Sequence, residues 1–387
     1  MNQSIVILGS TGSIGTTALK CIDKQKNFNV RIITAKKNIK KLLKQAIKYN
    51  VKNAIIEDKN NYLKFKKIFK KKKIDLFLGI NDNIDKILKN KVNFCINSIS
   101  GINGLDPTLK IIPLTKKILI ANKETIVCAW DIILKKLKKN KTQFIPLDSE
   151  HFSIWKLINH EKSKDIDKII LTASGGPFLN KKREHLKDIK PKIALRHPNW
   201  KMGKKISIDS STMMNKIFEF IEAKKIFNLS KRKLSIIIQP TSFVHAIVYF
   251  KGNIIKFLAH ETSMSIPISS ALDIEKISKR DDISKHIIKL NNLDFQKPKK
   301  KQFPLLSLIN FIPENNSYFE TILITINDNM VNKYLNNKIN YNSIHTNILK
   351  LIKRPFLSKY YKLKPKNIYD IKRMIEITNK YIENNIK

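Results

Sequence analysis

Ser4-Ile5-Val6-Ile7-Leu8-Gly9-Ser10-Thr11-Gly12-Ser13-Ile14-Gly15 is the stretch whose reading decides the fold. Ser4 to Leu8 reads as a buried strand. Three glycines follow in G-x-x-G-x-x-G spacing, and a helix is expected through Lys24. A strand, a glycine turn and a helix form the dinucleotide fingerprint. The glycines permit a tight turn and let backbone N–H groups approach a pyrophosphate at the helix start. A plain glycine turn is the competing reading. The strand before and the helix after favour a cofactor loop.

Strands and helices alternate outward from this point. The second strand, Asn29 to Ala35, ends in Lys36-Lys37-Asn38. An acid there would hold the ribose hydroxyls of NAD; two cations suit the extra 2′-phosphate of NADP. Two more surface lysines in a lysine-rich chain is the alternative. Short strands are expected at Ala54–Ile56, Asp75–Leu78, Val92–Ile96 and Lys117–Ala121. This rhythm implies a mostly parallel sheet with ligands beyond the carboxyl ends of its strands. Asn122, Lys123 and Glu124 fall on that rim, or simply open the next helix.

Phe144-Ile145-Pro146-Leu147-Asp148-Ser149-Glu150-His151 ends an apolar run in two acids one residue apart. On an extended chain both carboxylates point the same way and repel unless a proton or a cation lies between them. The stretch reads as half of a divalent-metal site. Its bland alternative is an acidic pair opening a helix.

Further on, Lys168 to Ala173 is a strand running into Ser174-Gly175-Gly176-Pro177-Phe178, a turn able to offer a hydroxyl and backbone donors to an anion. An aperiodic segment then reaches Arg196-His197-Pro198-Asn199-Trp200-Lys201-Met202-Gly203. Trp200 and Met202 suit a lid, or a surface loop tucked down by its Trp. His197 alone could be structural. Asp209, Ser210 or Ser211 can cap a helix to about Phe227. In it Asn215 and Glu219 share a face and Lys216 is an i+3 neighbour of Glu219. Spacing alone favours a surface salt bridge for that last pair.

Ser235–Gln239, Val244–Phe250 and Ile254–Ala259 are expected strands of a mixed sheet, the last two joined by a hairpin at Lys251-Gly252-Asn253. Met264 to Ile274 reads as helical. The expected fold class is α/β: a Rossmann-like dinucleotide-binding domain (1–147), a central catalytic, metal-binding and dimerisation domain with a mixed sheet (148–275), a charged linker (276–301) and an α-helical domain (302–387). Ile368, Ile371, Ile375 and Ile382 mark one face of the last helix.

Lys+Arg number 75 against 31 Asp+Glu, a net charge of +44. The lysines are scattered rather than gathered, and aromatics do not interleave with them, so no specific nucleic-acid partner is expected. Lys, Asn and Ile are what A/T-rich codons supply. Cys21, Cys95 and Cys128 lie in apolar contexts without metal spacing, as in a reduced cytoplasmic protein. No signal or transit peptide is expected ahead of Ser4, and no apolar run suits a membrane span.

In order, the glycine loop, Ala121–Glu124, Leu147–His151, Ser174–Phe178, Arg196–Trp200, and Asp209-Ser210 with Met213-Met214-Asn215-Lys216 resemble the 1-deoxy-D-xylulose-5-phosphate reductoisomerase family. The resemblance runs continuously to about residue 270. It implies an NADPH-dependent enzyme that isomerises 1-deoxy-D-xylulose 5-phosphate and reduces the product to 2-C-methyl-D-erythritol 4-phosphate; the expected homodimer rests instead on the exposed mixed sheet of the second domain. Carried over by position, it implies Asp148, Glu150 and Glu219 as metal ligands. An all-carboxylate set suits Mg²⁺ or Mn²⁺, with Co²⁺ a further option. Ser174, Ser210, Asn215 and Lys216 become the phosphate pocket. Lys123, Ser149, Glu150 and His197 become sugar contacts, with Lys123, Glu150, His197 and Lys216 nearest the chemistry. Thr11, Gly12, Ser13, Ile14, Lys37, Asn38, Asn122, Glu124 and Gly203 become NADPH contacts. Lys36 stands where the family usually has Gly, beside the adenosine. Two other functions compete. A semialdehyde dehydrogenase-like oxidoreductase would want a reactive cysteine, and Cys128 sits in an apolar helix. A basic nucleic-acid-binding protein would show steep salt dependence.

Overall fold

The computed structural model describes residues 3–23, 25–200, 202–274 and 283–386. The expected helix end at Lys24, Lys201 of the lid stretch and residues 276–282 of the linker lie outside them. The chain divides into two compact units. One comprises Met1–Thr125, Asp131–Phe152 and Ser263–Arg280; the other comprises Ile126–Trp130, Ser153–Thr262 and Asp281–Lys387.

The first unit is built on a parallel sheet of seven strands: β1 (Gln3–Leu8), β2 (Phe28–Ala35), β3 (Asn53–Ile56), β4 (Asp75–Leu78), β5 (Val92–Asn97), β6 (Thr115–Ile120) and β7 (Gln143–Pro146). Their order is β4-β3-β2-β1-β5-β6-β7. β1 lies at the centre, paired to β2 and β5, with Ile5 opposite Val30 and Phe94. A strand covered on both faces must be apolar throughout, and Ile5, Val6, Ile7 and Leu8 are all fully buried. Each such aliphatic burial is worth about 1.5–3 kcal/mol. The chain leaves β1 toward β2 and later returns to β5 on the other side. A crevice for ligand opens at such a reversal, beyond the carboxyl ends of β1 and β5.

The flanking helices carry the lysines outward. In Lys59–Lys71 the buried residue is Phe69, and the remaining face is solvated. Asn38, Asp58 and Asn122 each cap a following helix through a side-chain oxygen that accepts a backbone N–H, as helix starts demand. The helix Ser265–Ala271 packs against Ser13–Ile22 within this unit.

The second unit holds a mixed sheet of β8 (Ile166–Ala173), β9 (Leu234–Ile238), β10 (Val244–Phe250) and β11 (Ile254–Ala259), in the order β11-β10-β8-β9. β10 runs antiparallel to β8 and β11, and β9 runs parallel to β8. The hairpin forms as expected, with Gly252 at φ 78°. Lys204–Ser211 and Met214–Ile226 are two helices. Phe319–Leu335, Tyr341–Ile352 and Ile368–Asn385 are the main helices of the C-terminal part. On the last, Ile371 and Ile382 are buried as the pattern predicts, joined by Met374 and Thr378; Ile368 and Ile375 are half-buried. The stretch read as linker contains a helix, Ile283–Asn291. Beyond it Gln296 bridges to Ile238 of β9 through two backbone hydrogen bonds, 2.8 and 2.9 Å.

Candidate active site

The glycine loop has the geometry the fingerprint requires. Gly9 sits at φ +78°, and a Cβ there would lie 2.9 Å from the Ser98 carbonyl oxygen. A Cβ on Gly15 would lie 2.5 Å from Ser10 Cα, so the helix packs on the strand only because that residue is glycine. Gly12 is the extended residue before Ser13–Ile22 and carries no side-chain cap. The first N–H groups of a helix lack intrahelical partners and attract anions. The helix start at Thr11 to Ile14 thus has the character of an anion-accepting turn.

Residues the sequence reading missed hold this loop in shape. Ser10 Oγ donates to Gln45 Oε1 at 2.8 Å, and Gln45 Nε2 donates back to the Ser10 carbonyl at 2.8 Å. Lys41 Nζ donates to the Thr11 carbonyl at 2.8 Å, and Gly9 N to Thr34 Oγ1 at 2.9 Å. Gln45 was detectable: it falls on the inward face of its helix beside Leu42 and Ala46, where a polar residue needs a partner. Lys36, Lys37 and Asn38 are exposed at the carboxyl end of β2. Asn38 spends its side-chain oxygen on the cap, accepting from Lys41 N at 3.2 Å.

On the rim, Asn122 is a cap, accepting from Thr125 N at 2.6 Å while its amide donates to the Gly101 carbonyl at 2.7 Å. Lys123, Glu124 and Ser149 are buried. The expectation that Asp148 and Glu150 share a face of an extended chain is overturned. β7 ends at Pro146 and a helix begins at Ser149, with Phe152 N donating to the Asp148 carbonyl at 2.8 Å. Two acids thus open a helix, where its dipole favours them. The Asp148 carboxylate pairs with the Lys123 ammonium and lies 3.1 Å from His151 Nδ1. Burial opposes its ionisation, yet Lys123 and His151 together hold its carboxyl well below the usual range. Ser149 Oγ donates to Glu150 Oε2 at 2.6 Å. A hard cation is chemically suited to such half-buried carboxylate oxygens.

In the second unit, the turn after β8 places Ser174 Oγ 3.1 Å from His197 Nε2, and Gly176 N donates to the same Oγ at 3.1 Å. His197 Nδ1 accepts from Asn199 N at 3.1 Å and Trp200 N at 3.0 Å. An Nδ1 that accepts puts the ring proton on Nε2. Burial lowers the His197 pKa to about 4, so the ring is neutral near pH 7. Ser174 Oγ then receives two donors, and its own proton is left to aim at an anion. Trp200 is half-buried and packs edge-on to His245 at 6.0 Å. Asn199 Nδ2 ties the same stretch to the Pro240 carbonyl at 2.6 Å.

The expected capping by Asp209, Ser210 or Ser211 does not occur. These residues finish the helix Lys204–Ser211, which starts after Gly203. The hydroxyls of Ser211 and Thr212 turn back to the Ile208 carbonyl at 2.8 and 3.1 Å. Met213, left-handed at φ 63°, makes the corner into Met214–Ile226. That corner puts Asn215 and Lys216 in the first turn. The surface salt-bridge reading of Lys216 and Glu219 fails as well. The pair forms, but Lys216 is 4% and Glu219 1% exposed, and Asn215 Nδ2 donates to Glu219 Oε1 at 2.5 Å. A buried ion pair with a third polar partner is a costly arrangement. Ser210 is half-buried beside it in the chain.

The description "1-deoxy-D-xylulose 5-phosphate reductoisomerase" matches residues 5–130. Its C-terminal domain matches 144–227, and a further "DXP reductoisomerase C-terminal domain" matches 260–381. The chain is 47% identical over 375 residues to the 1-deoxy-D-xylulose 5-phosphate reductoisomerase of Pelagibacter ubique, covering 96% of each. It is 40% identical to that of Clostridium novyi, covering 88% of this chain and 89% of the other. Among solved structures it resembles a DOX-P reductoisomerase in complex with NADPH, fosmidomycin and magnesium, at 29% identity and TM-score 0.89. That match covers 99% of this chain and 98% of the other. The Zymomonas mobilis enzyme in complex with NADPH matches at 27% identity and TM-score 0.86, over the same shares.

Proposed function

The chain belongs to the 1-deoxy-D-xylulose 5-phosphate reductoisomerase family, and from that premise we propose which residues perform the family's reaction here. The activity is NADPH- and divalent-metal-dependent conversion of 1-deoxy-D-xylulose 5-phosphate to 2-C-methyl-D-erythritol 4-phosphate, for isoprenoid precursors. When bound, NADPH supplies the hydride, and Mg²⁺ or Mn²⁺ (Co²⁺ as a further option) supplies a Lewis acid that offsets developing charge on the substrate oxygens.

Asp148, Glu150 and Glu219 would hold the metal, and Thr11 to Ile14, Lys36 to Asn38, Asn122, Glu124 and Gly203 the cofactor. Ser174, Ser210, Asn215 and Lys216 grip the phosphate. Lys123, Ser149, Glu150 and His197 orient the sugar, and neutral His197 and the Lys123 ammonium each hold a proton near reacting oxygens. A phosphate gripped remotely keeps both halves of the rearranging carbon chain in register. Trp200 and Met202 cover the site against water. The observation that carries this residue assignment is the buried Lys216–Glu219 pair with Asn215 on the same face. Burial of charges at this cost suits a site that binds charge.

In this reading residues 1–147 bind NADPH, 148–275 carry the chemistry and dimerisation, 276–301 link, and 302–387 form a helical domain. A homodimer is supported by the edge strand β11, whose Ile254, Ile255 and Phe257 are each about half exposed. The proposed setting is the cytoplasm; among the described residues no helix is long and apolar enough to cross a membrane. The test follows NADPH absorbance with 1-deoxy-D-xylulose 5-phosphate. Consumption should require Mg²⁺ or Mn²⁺ and stop with chelator. Metal-independent consumption would refute the reading.

A further inference from the structure

We infer that Tyr341 is a positioning residue for phosphate binding, bracing from the C-terminal helices the two arms that carry Ser174 and Ser210. The inference rests on the phosphate-pocket reading above and extends it to residues far away in the chain. The last carbonyls of a helix have no intrahelical partner. At the end of Lys204–Ser211, the Tyr341 hydroxyl donates to the Ser211 carbonyl at 2.8 Å, with Ser211 Oγ 3.1 Å away. Tyr341 is 1% exposed, and burial keeps its phenol protonated, as a donor must be.

The same ring meets Phe178 edge-on, at 5.1 Å and 81°. Phe178 ends the turn that begins at Ser174. Between the arms Gly176 closes the gap: a Cβ there would lie 3.0 Å from Ser211 Cα and 3.1 Å from the Ser210 carbonyl oxygen. The Ser174 arm, the Ser210 arm and Tyr341 therefore pack as three parts of one joint. A second tie flanks Ser210 from its other side. Asn327 Nδ2, on Phe319–Leu335, donates to Asp209 Oδ1 at 2.7 Å, and both residues are buried. Ser210 thus lies between two residues, Asp209 and Ser211, that the C-terminal helices hold.

Misplaced donors should weaken phosphate recognition more than cofactor binding or chemistry. The experiment compares three variants of the full chain: Tyr341→Phe, Tyr361→Phe and Lys216→Ala. It reads KM for 1-deoxy-D-xylulose 5-phosphate, inhibition by inorganic phosphate, KM for NADPH, and kcat. Tyr341→Phe should weaken both phosphate readouts by about five- to tenfold, the scale of one hydrogen bond. KM for NADPH and kcat should stay within about twofold. Tyr361→Phe removes a comparable hydrogen bond, to the Ile352 carbonyl at 2.6 Å, and should move none of them. Unchanged phosphate readouts in Tyr341→Phe, or equal shifts in both tyrosine variants, would overturn the inference. If Lys216→Ala also leaves phosphate recognition intact, the pocket reading itself fails and takes the inference with it. Should Tyr341→Phe not fold, Asn327→Ala carries the same expectation through Asp209.

Discussion

Nε2 of His197 lies 3.1 Å from Oγ of Ser174, while two backbone N–H groups occupy Nδ1 of the same ring. The imidazole is therefore a fixed, neutral donor, and its neutrality has a pH signature. The folded pKa is depressed to about 4 from an ordinary 6.5 by burial. Between those values the unfolded chain binds more protons than the folded one. This contribution to stability is complete above pH 6.5 and is lost as pH falls toward 4. The thermal midpoint of the wild type, relative to His197→Gln, should decline across that window. A constant difference would show that His197 is not held neutral.

Gly15→Ala forces the first helix away from β1, because the added carbon would lie 2.5 Å from Ser10 Cα. Overpacking of this kind costs about 1–3 kcal/mol. The loop proposed to receive the pyrophosphate should distort with it. Fluorescence titration should show NADPH affinity reduced by about tenfold or more, the equivalent of 1.4 kcal/mol. Wild-type affinity in Gly15→Ala would remove the loop from cofactor binding.

Lys225 Nζ lies 3.0 Å from Glu320 Oε1, with both side chains almost fully buried. Removing one partner leaves a buried charge, so Lys225→Met should destabilise by about 3–5 kcal/mol in urea. Lys225→Met with Glu320→Gln should recover part of that loss. Equal stability of the single variant and the wild type would mean the pair is hydrated.

Trp200→Ala should raise KM for the sugar phosphate with a smaller change in kcat, since the ring is assigned to cover substrate. Steady-state kinetics decide this; an unchanged KM would remove the lid role and leave Trp200 as packing against His245.

Local chemistry was readable in the sequence wherever a residue type is forced by its backbone. Gly9 and Gly15 are the clearest cases, because no side chain fits there. The βα alternation and the β10–β11 hairpin were readable for the same reason. What depends on distant packing was not. Lys216 and Glu219 have the spacing of any helical ion pair, and only the surrounding fold makes the pair buried. The sequence suggests an extended chain through Asp148 and Glu150 because nothing local marks where β7 stops; in the fold Asp148 directly precedes a helix. Tyr341 reaches Ser211 across 130 residues, a distance over which sequence pattern carries no signal.

Asp148, Glu150 and Glu219 are proposed to hold one divalent ion. Equilibrium Mn²⁺ binding to the wild type and to Glu219→Gln, followed by electron paramagnetic resonance, tests it without relying on turnover. Loss of a charged ligand should weaken Mn²⁺ binding by at least about tenfold, with NADPH affinity unchanged. Equal Mn²⁺ affinity in the two proteins would contradict the assignment.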